Sequence, residues 1–346
     1  MVKAAVCSGI GAQLVVQDIE GPAAPGPNQL LIRNEAVAIN PFDFALQSYG
    51  SKFFPFVKYP AVFGEDVAGV VEAAGAGVDA AAFKVGDRVA GLAERNGFQE
   101  KVLLDAASSF RVPAALPAEQ AAALPMGVIV AMFGLFHPGY LALSLPTTAG
   151  RNNNDSNNSK GVVLIWGAST AVGANAVQLA ALAGYEVVAT ASPKHFDKAR
   201  ALGAAHVFDY ASPTVVADIQ AAVKGKTVLG ALCNGAAKPP SFPPIIAACA
   251  DVVRGQARPF LAMTMLMPPT GVPEGVEGKF IDGTHDSKNA AFSASILQGF
   301  LAEALAQGTY KVAPEPHLVG QGLDAVQSGL DMVKAGVSAT KVVVKL

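Results

Sequence analysis

The segment Val162-Val163-Leu164-Ile165-Trp166-Gly167-Ala168-Ser169-Thr170-Ala171-Val172-Gly173 constrains the fold of this chain more than any other. Its apolar run reads as a strand covered on both faces, which is how strands of a parallel sheet are written. Small residues follow, so the chain can turn sharply and enter a small-residue helix from Gly173 to Gly184. A turn of this kind lets backbone N–H groups approach an anion at the helix N-terminus, where the peptide dipoles favour negative charge. Gly167 and Gly173 have the spacing of the outer glycines of a dinucleotide fingerprint, and Ser169 at the middle position offers a hydroxyl to a phosphate. The other reading of the same residues is a tight strand–helix turn that holds no ligand.

Beyond this turn, strands alternate with helices. Strands are predicted at Glu186–Ala191, His206–Asp209, Val228–Cys233 and Phe260–Met263, and helices near Phe196–Leu202, Val215–Val223 and Ile245–Val253. That alternation implies an α/β domain with a doubly wound parallel sheet. The first 120 residues differ: short runs such as Leu30–Arg33 and Val67–Glu72 lie between Gly and Pro turns and predict a β-rich domain. In the tail, Ala291–Gln307 and Gly322–Val333 read as helices and Lys341–Val344 as a strand returning to the first domain. The expected division is therefore residues 1–125 with 291–346 as the β-rich domain, and 126–290 as the dinucleotide-binding domain. Thr147–Lys160 is a polar, Asn-rich insert expected to loop over the surface. The Pro- and Gly-rich stretch Pro268–Gly283 is expected to disrupt the edge of the parallel sheet.

Composition excludes several function classes. Of 346 residues, 51% are hydrophobic and 15% charged, too apolar for intrinsic disorder. A formal net charge of -2 provides no field for nucleic acid or an anionic membrane. Three scattered cysteines, Cys7, Cys233 and Cys249, make no disulfide framework and fit a reducing, cytoplasmic setting. The most apolar run, Ala121–Phe136, is interrupted by Pro125 and Gly127 and falls short of the ~20 residues of a bilayer span, so it reads as a core helix.

The end of the second strand selects the cofactor. A site for NAD places an acid about 20 residues beyond the first glycines to hold the ribose hydroxyls. Here the strand leads into Ala191-Ser192-Pro193-Lys194-His195, with no acid before Asp197. Ser192 and Lys194 can hydrogen-bond and neutralise a 2′-phosphate, which selects NADPH. The competing reading has Lys194 simply solvated on a loop.

Several stretches together resemble the medium-chain dehydrogenase/reductase superfamily: Ile39-Asn40-Pro41-Phe42-Asp43, Phe63–Val71, Val85–Val89, Phe98-Gln99-Glu100, Ala121–Pro125 and the glycine loop. Ala191-Ser192-Pro193, Val207–Tyr210 and the tail from Gly322 to Lys341 bring it nearest the zinc-independent quinone and enoyl reductases, with fungal ToxD-like proteins and trans-acting enoyl reductases among them. The resemblance implies a GroES-like β-rich domain plus a Rossmann domain. It also implies a 2′-phosphate site at Ser192, Lys194 and Tyr210, and Asn40 near the nicotinamide. With the loop residues Gly167, Ser169, Thr170, Ala171, Val172 and Gly173, and Asn234 after the fourth strand, these form the expected cofactor set. The chain departs from the family pattern at Thr170 and Ala171, at Val130 and at Ala45.

Zinc-dependent members need Cys, His and further Cys or acidic ligands. The resemblance sets the first two at Asn40–Asp43 and Phe63, where this chain has neither cysteine nor histidine, and no four-cysteine lobe exists. The five histidines, His137, His195, His206, His285 and His317, read as surface or structural residues. The expected activity is NADPH-dependent reduction of an enone, quinone or enoyl substrate, with Tyr49 and Asn40 as candidate catalytic residues. Met263, Met265 and Met267 alternate as pocket-lining or core residues. The alternatives are a trans-acting enoyl reductase that takes its substrate from a polyketide synthase carrier protein, and a non-catalytic NADPH-binding protein. The expected partner is a small-molecule substrate, with the chain a monomer or homodimer.

Overall fold

The computed structural model describes residues 1–146, 160–235, 242–264 and 271–346. The Asn-rich insert, except for its last residue Lys160, and Met265 and Met267 lie outside them. The chain divides into two units, Met1–Met126 with His285–Leu346, and Gly127–Thr284.

The Gly127–Thr284 unit is built on six strands in the order His206–Asp209, Glu186–Ala191, Val162–Trp166, Val228–Cys233, Phe260–Met263 and Glu277–Phe280. All five pairings are parallel. The first strand in sequence sits inside and the chain winds outward to both sides, the doubly wound order whose switch point lies at that strand's carboxyl end. Val162–Trp166 is buried along its whole length, which explains its unbroken apolar run. Helix Ala171–Leu182 buries every residue from Gly173 to Ala180. Pro268–Gly283 does not end the sheet: its Glu277–Phe280 portion adds the sixth strand, with Phe260 opposite Glu277. Tyr140 secures that strand's exit, its hydroxyl donating to Asp282 Oδ1 at 3.0 Å and accepting from Asp282 N at 2.9 Å. Met263 is 1% exposed and belongs to the apolar core of this unit, so it packs as a core residue.

In the other unit, Gln29–Ile39 pairs with both Asp66–Ala74 and Lys101–Arg111, and Arg88–Ala93 bridges those two, so four strands close on themselves. Thr340–Lys345 then pairs antiparallel with Gln29–Ile39, Val342 facing Ile39, and Glu315–Gln321 adds in parallel outside it. The last strand thus returns to the β-rich unit, as expected. Gly69 permits the closure, because a Cβ there would sit 2.1 Å from Arg33 O on the neighbouring strand.

The tail departs from a simple helix. Residues 290–306 comprise Ala290–Ala294, a π-helical stretch Ser295–Leu301 and Ala302–Ala306. Glu315–Gln321 contains Pro316 and Gly320, which obscure a strand in sequence yet suit an edge position. Among the described residues one helical run, Ala118–Phe136, has the length and hydropathy to cross a bilayer, and 78% of its apolar window is buried inside the protein, as in a core helix.

Candidate active site

At the end of Val162–Trp166 the backbone of Gly167 turns with φ +81°, and a Cβ there would meet Asn234 O at 2.5 Å. Gly173 is equally restricted, because a Cβ would lie 2.2 Å from Gly167 O. Thr170 is the N-cap: its hydroxyl donates to Gly167 O at 3.0 Å and accepts from Gly173 N at 3.0 Å. The Asn234 amide also donates to that hydroxyl, while its Oδ1 accepts from the Thr264 hydroxyl at 2.6 Å. Thr170 and Asn234 therefore shape the loop from within. Ala171 and Val172 are the first helical residues, and the first i→i−4 bond runs from Ala174 N to Thr170 O. Their N–H groups are the donors a helix N-terminus presents to an anion. Ser169 is half-buried, and among the described residues its hydroxyl has no partner.

The second strand ends at Ser192, whose hydroxyl is 2.8 Å from that of Tyr210. Parallel pairing of His206–Asp209 with Glu186–Ala191 brings these two residues together. Tyr210 is 47% exposed, and Lys194 projects into solvent with no ion pair to any described residue. Of the expected cofactor set, Gly167, Ser169, Thr170, Ala171, Val172, Gly173 and Asn234 cluster at the loop. Ser192, Lys194 and Tyr210 gather at the end of the neighbouring strand, and Asn40 lies in the other unit.

Asn40 starts helix Pro41–Phe53, where its backbone N donates to Asp43 Oδ2 at 2.7 Å. Its amide Nδ2 donates to Asp66 Oδ2 at 3.0 Å, and Lys341 Nζ donates to Asn40 Oδ1 and, at 2.6 Å, to Asp66 Oδ2. Asp66 Oδ1 accepts from Met126 N at 2.7 Å. Asn40, Asp43, Glu65, Asp66 and Lys341 are all at most 5% exposed. Among the described residues neither Asp43 Oδ1 nor Glu65 Oε2 has a hydrogen-bond partner, though His285 Nε2 comes within 3.3 Å of the latter, outside hydrogen-bonding alignment. Burial, and then the nearby Glu65 carboxyl, hold the Asp43 carboxyl well above the usual range. Burial likewise raises Glu65, partly offset by His285. Tyr49 is 46% exposed, with its ring edge-on to Phe53 at 5.4 Å and to Phe44 at 6.4 Å.

Family models match both parts: an alcohol dehydrogenase GroES-like domain over residues 26–122 and a zinc-binding dehydrogenase over residues 171–250. Dehydrogenase azaJ of Aspergillus niger is 41% identical over 352 residues, spanning 99% of this chain and 98% of its own. The chain belongs to the medium-chain dehydrogenase/reductase superfamily. A second member, trans-enoyl reductase himH of Aspergillus japonicus, is 34% identical over 92% of this chain and 90% of its own. The crystal structure of an alcohol dehydrogenase superfamily protein from Novosphingobium aromaticivorans shares the fold, with TM-score 0.80 at 22% identity over the full length of both chains. The protein is thus an oxidoreductase of medium-chain type.

Among the described residues, the side chains do not fit a resident zinc. Among the described residues no three His, Cys, Asp or Glu side chains gather as a ligand set. The three cysteines are buried, two of them in the core of the α/β unit, and Asp66 is already engaged by Lys341, Asn40 and Met126 N. The glycine cradle, where a Cβ at either Gly167 or Gly173 would collide with backbone, does fit a closely approaching pyrophosphate. The sequence reading missed Glu65, Asp66, His285 and Lys341 as site residues. Adjacent carboxylates beside Gly64 were the available signal, whereas Lys341 is 301 positions from Asn40 and gives no local sign of its role.

Proposed function

We propose that this chain is a zinc-independent, NADPH-dependent reductase of an activated carbon–carbon double bond in an enone, a quinone or an enoyl substrate. The observation that carries the cofactor choice is the Ser192–Tyr210 hydroxyl pair with the exposed Lys194 beside it in sequence, where the chain has no acid between the second strand and Asp197. Two hydroxyl groups and one ammonium are complementary to a phosphate dianion, whereas a carboxylate in their place would repel it. The loop from Gly167 to Gly173 would hold the pyrophosphate, with the Ser169 hydroxyl and the first-turn N–H groups donating. Bound there, NADPH supplies hydride from C4 of its nicotinamide ring.

A conjugated double bond suits a site without a Lewis acid, because charge arriving on the substrate spreads into an enolate that N–H and hydroxyl groups can stabilise. The similarity to a trans-enoyl reductase favours an enoyl group on a polyketide synthase carrier protein as the second substrate form. Replacing Lys194 with Glu tests the cofactor reading: the Michaelis constant for NADPH should rise about tenfold or more, the equivalent of ~1.4 kcal/mol, with that for NADH little changed. Equal effects on the two coenzymes would defeat it. Oxidation of NADPH against an enone, a quinone, an enal and an enoyl thioester separates the substrate classes.

A further inference from the structure

The parallel sheet of the Gly127–Thr284 unit has two ends, and the glycine loop occupies only the carboxyl one. We propose that the amino end carries a second binding site, for a small organic anion with a carboxylate or phosphate head on an apolar body.

The segments that lead into the strands meet there. Lys160 and Gly161 precede Val162–Trp166, Tyr185 precedes Glu186–Ala191, Leu229 lies at the start of Val228–Cys233, and Arg258 lies just before Phe260–Met263. With the turn Leu141–Ser144, Lys160, Tyr185, Leu229 and Arg258 line an open pocket of about 450 Å³. The whole of Val162–Trp166, five residues rising ~3.3 Å each, or ~16 Å, separates this end from Gly167. A small molecule seated in the pocket is therefore out of reach of the glycine loop.

Charge decides what the pocket takes. Lys160 and Arg258 both line it, and among the described residues no Asp or Glu lines it and none pairs with either cation. Arg258 is half-buried: its Nη1 and Nη2 donate to the carbonyls of Leu141 and Tyr140, and its guanidinium lies 5.2 Å from the Phe260 ring centroid. Backbone carbonyls accept from the guanidinium but leave its charge uncompensated, with N–H groups to spare. Lys160 Nζ lies 5.6 Å from the Tyr185 ring centroid. Tyr185 is 4% exposed; its hydroxyl accepts from Ser144 N at 2.8 Å and keeps its own proton to donate. Leu141, Leu143 and Leu229 supply the apolar wall.

Two cations and a phenol beside three leucines complement an anionic head with a hydrocarbon body. A guanidinium already fixed by its neighbours also gives up little freedom when it meets a carboxylate or phosphate. The turn beside it is strained, since Ala142 has φ +49°, a left-handed conformation that a residue with a Cβ holds only when its surroundings impose it. The bonds from Arg258 fasten the two residues just before it. A pocket of about 520 Å³ in the β-rich unit offers a contrast: it sets Arg111 with Glu303, so its lining has no net charge to select a ligand.

The test titrates the full chain calorimetrically with octanoate, octyl phosphate and octan-1-ol. At least one anion should bind about tenfold or more tightly than the alcohol, because its head makes charge-assisted bonds. The tighter anion identifies the head as carboxylate or phosphate. Lys160→Glu, at an exposed position, should weaken that anion about tenfold or more, and Arg258→Gln, checked for folding by circular dichroism, should act in the same direction. Saturating NADPH should leave the affinity within about twofold. Anion binding unchanged by Lys160→Glu, an alcohol bound as tightly as either anion, displacement of the anion by NADPH, or no anion binding at all would each overturn the site.

Discussion

Thr170 reaches Gly167 and Gly173 within three residues on either side, whereas Lys341 reaches Asn40 across 301 positions and Asp66 across 275. The glycine loop is largely a local structure: strand, turn and cap lie in one stretch, with Thr190 reaching Gly167 N from 23 positions on and Asn234 reaching Thr170 from 64 positions on. The polar cluster is assembled from four separate pieces of chain around positions 40, 66, 126 and 341. The contrast shows that a glycine turn and its helix cap can be encoded in a dozen residues, while a buried ion pair requires a completed sheet. The two regions should therefore respond differently to mutation.

The largest effect is expected in the cluster. Lys341→Met leaves Asp66 buried with its charge uncompensated and should cost about 3–5 kcal/mol in urea unfolding. A loss below about 1 kcal/mol would mean that the last strand does not depend on this pair, and the contrast would fail. The loop should be more tolerant. Thr170→Val removes one N-cap and should cost about 0.5–2 kcal/mol, largely restored by Thr170→Ser, because the hydroxyl and not the methyl makes the bonds. If the valine variant matched the lysine variant, the loop would be as globally coupled as the cluster.

The smallest effect is a slope. Burial and then Glu65 raise Asp43 in the native state, so the folded protein binds that proton more tightly than the unfolded chain. Stability should therefore fall as pH rises from the ordinary carboxylate range through the native pKa of Asp43. Asp43→Asn, which keeps an acceptor for Asn40 N, should flatten that decline when denaturation midpoints are compared across pH. An unchanged slope would place the pH dependence on Glu65 instead.

Much of the α/β unit was legible because its elements are local. Val162–Trp166, Glu186–Ala191, His206–Asp209, Val228–Cys233 and Phe260–Met263 occupy the bounds expected from the sequence. The π-helical stretch around Gly299 and the edge strand through Pro316 were not legible: propensity argues against Pro and Gly in such elements, and only packing and an unpaired sheet edge make room for them. In the tail, Lys341 read as one more residue of an apolar strand.

The sequence by itself determined the crossover unit, its glycine turn and the absence of an acid between the second strand and Asp197, since each depends on residues close together in the chain. Tertiary structure alone decided that Lys341 would neutralise Asp66, that Glu65 would be buried, and that His285 Nε2 would come within 3.3 Å of its Oε2. Those relations depend on the antiparallel register of Val342 with Ile39 and on burial, because the strength of a charge–charge contact is set by the surrounding dielectric, which no short stretch of residues specifies.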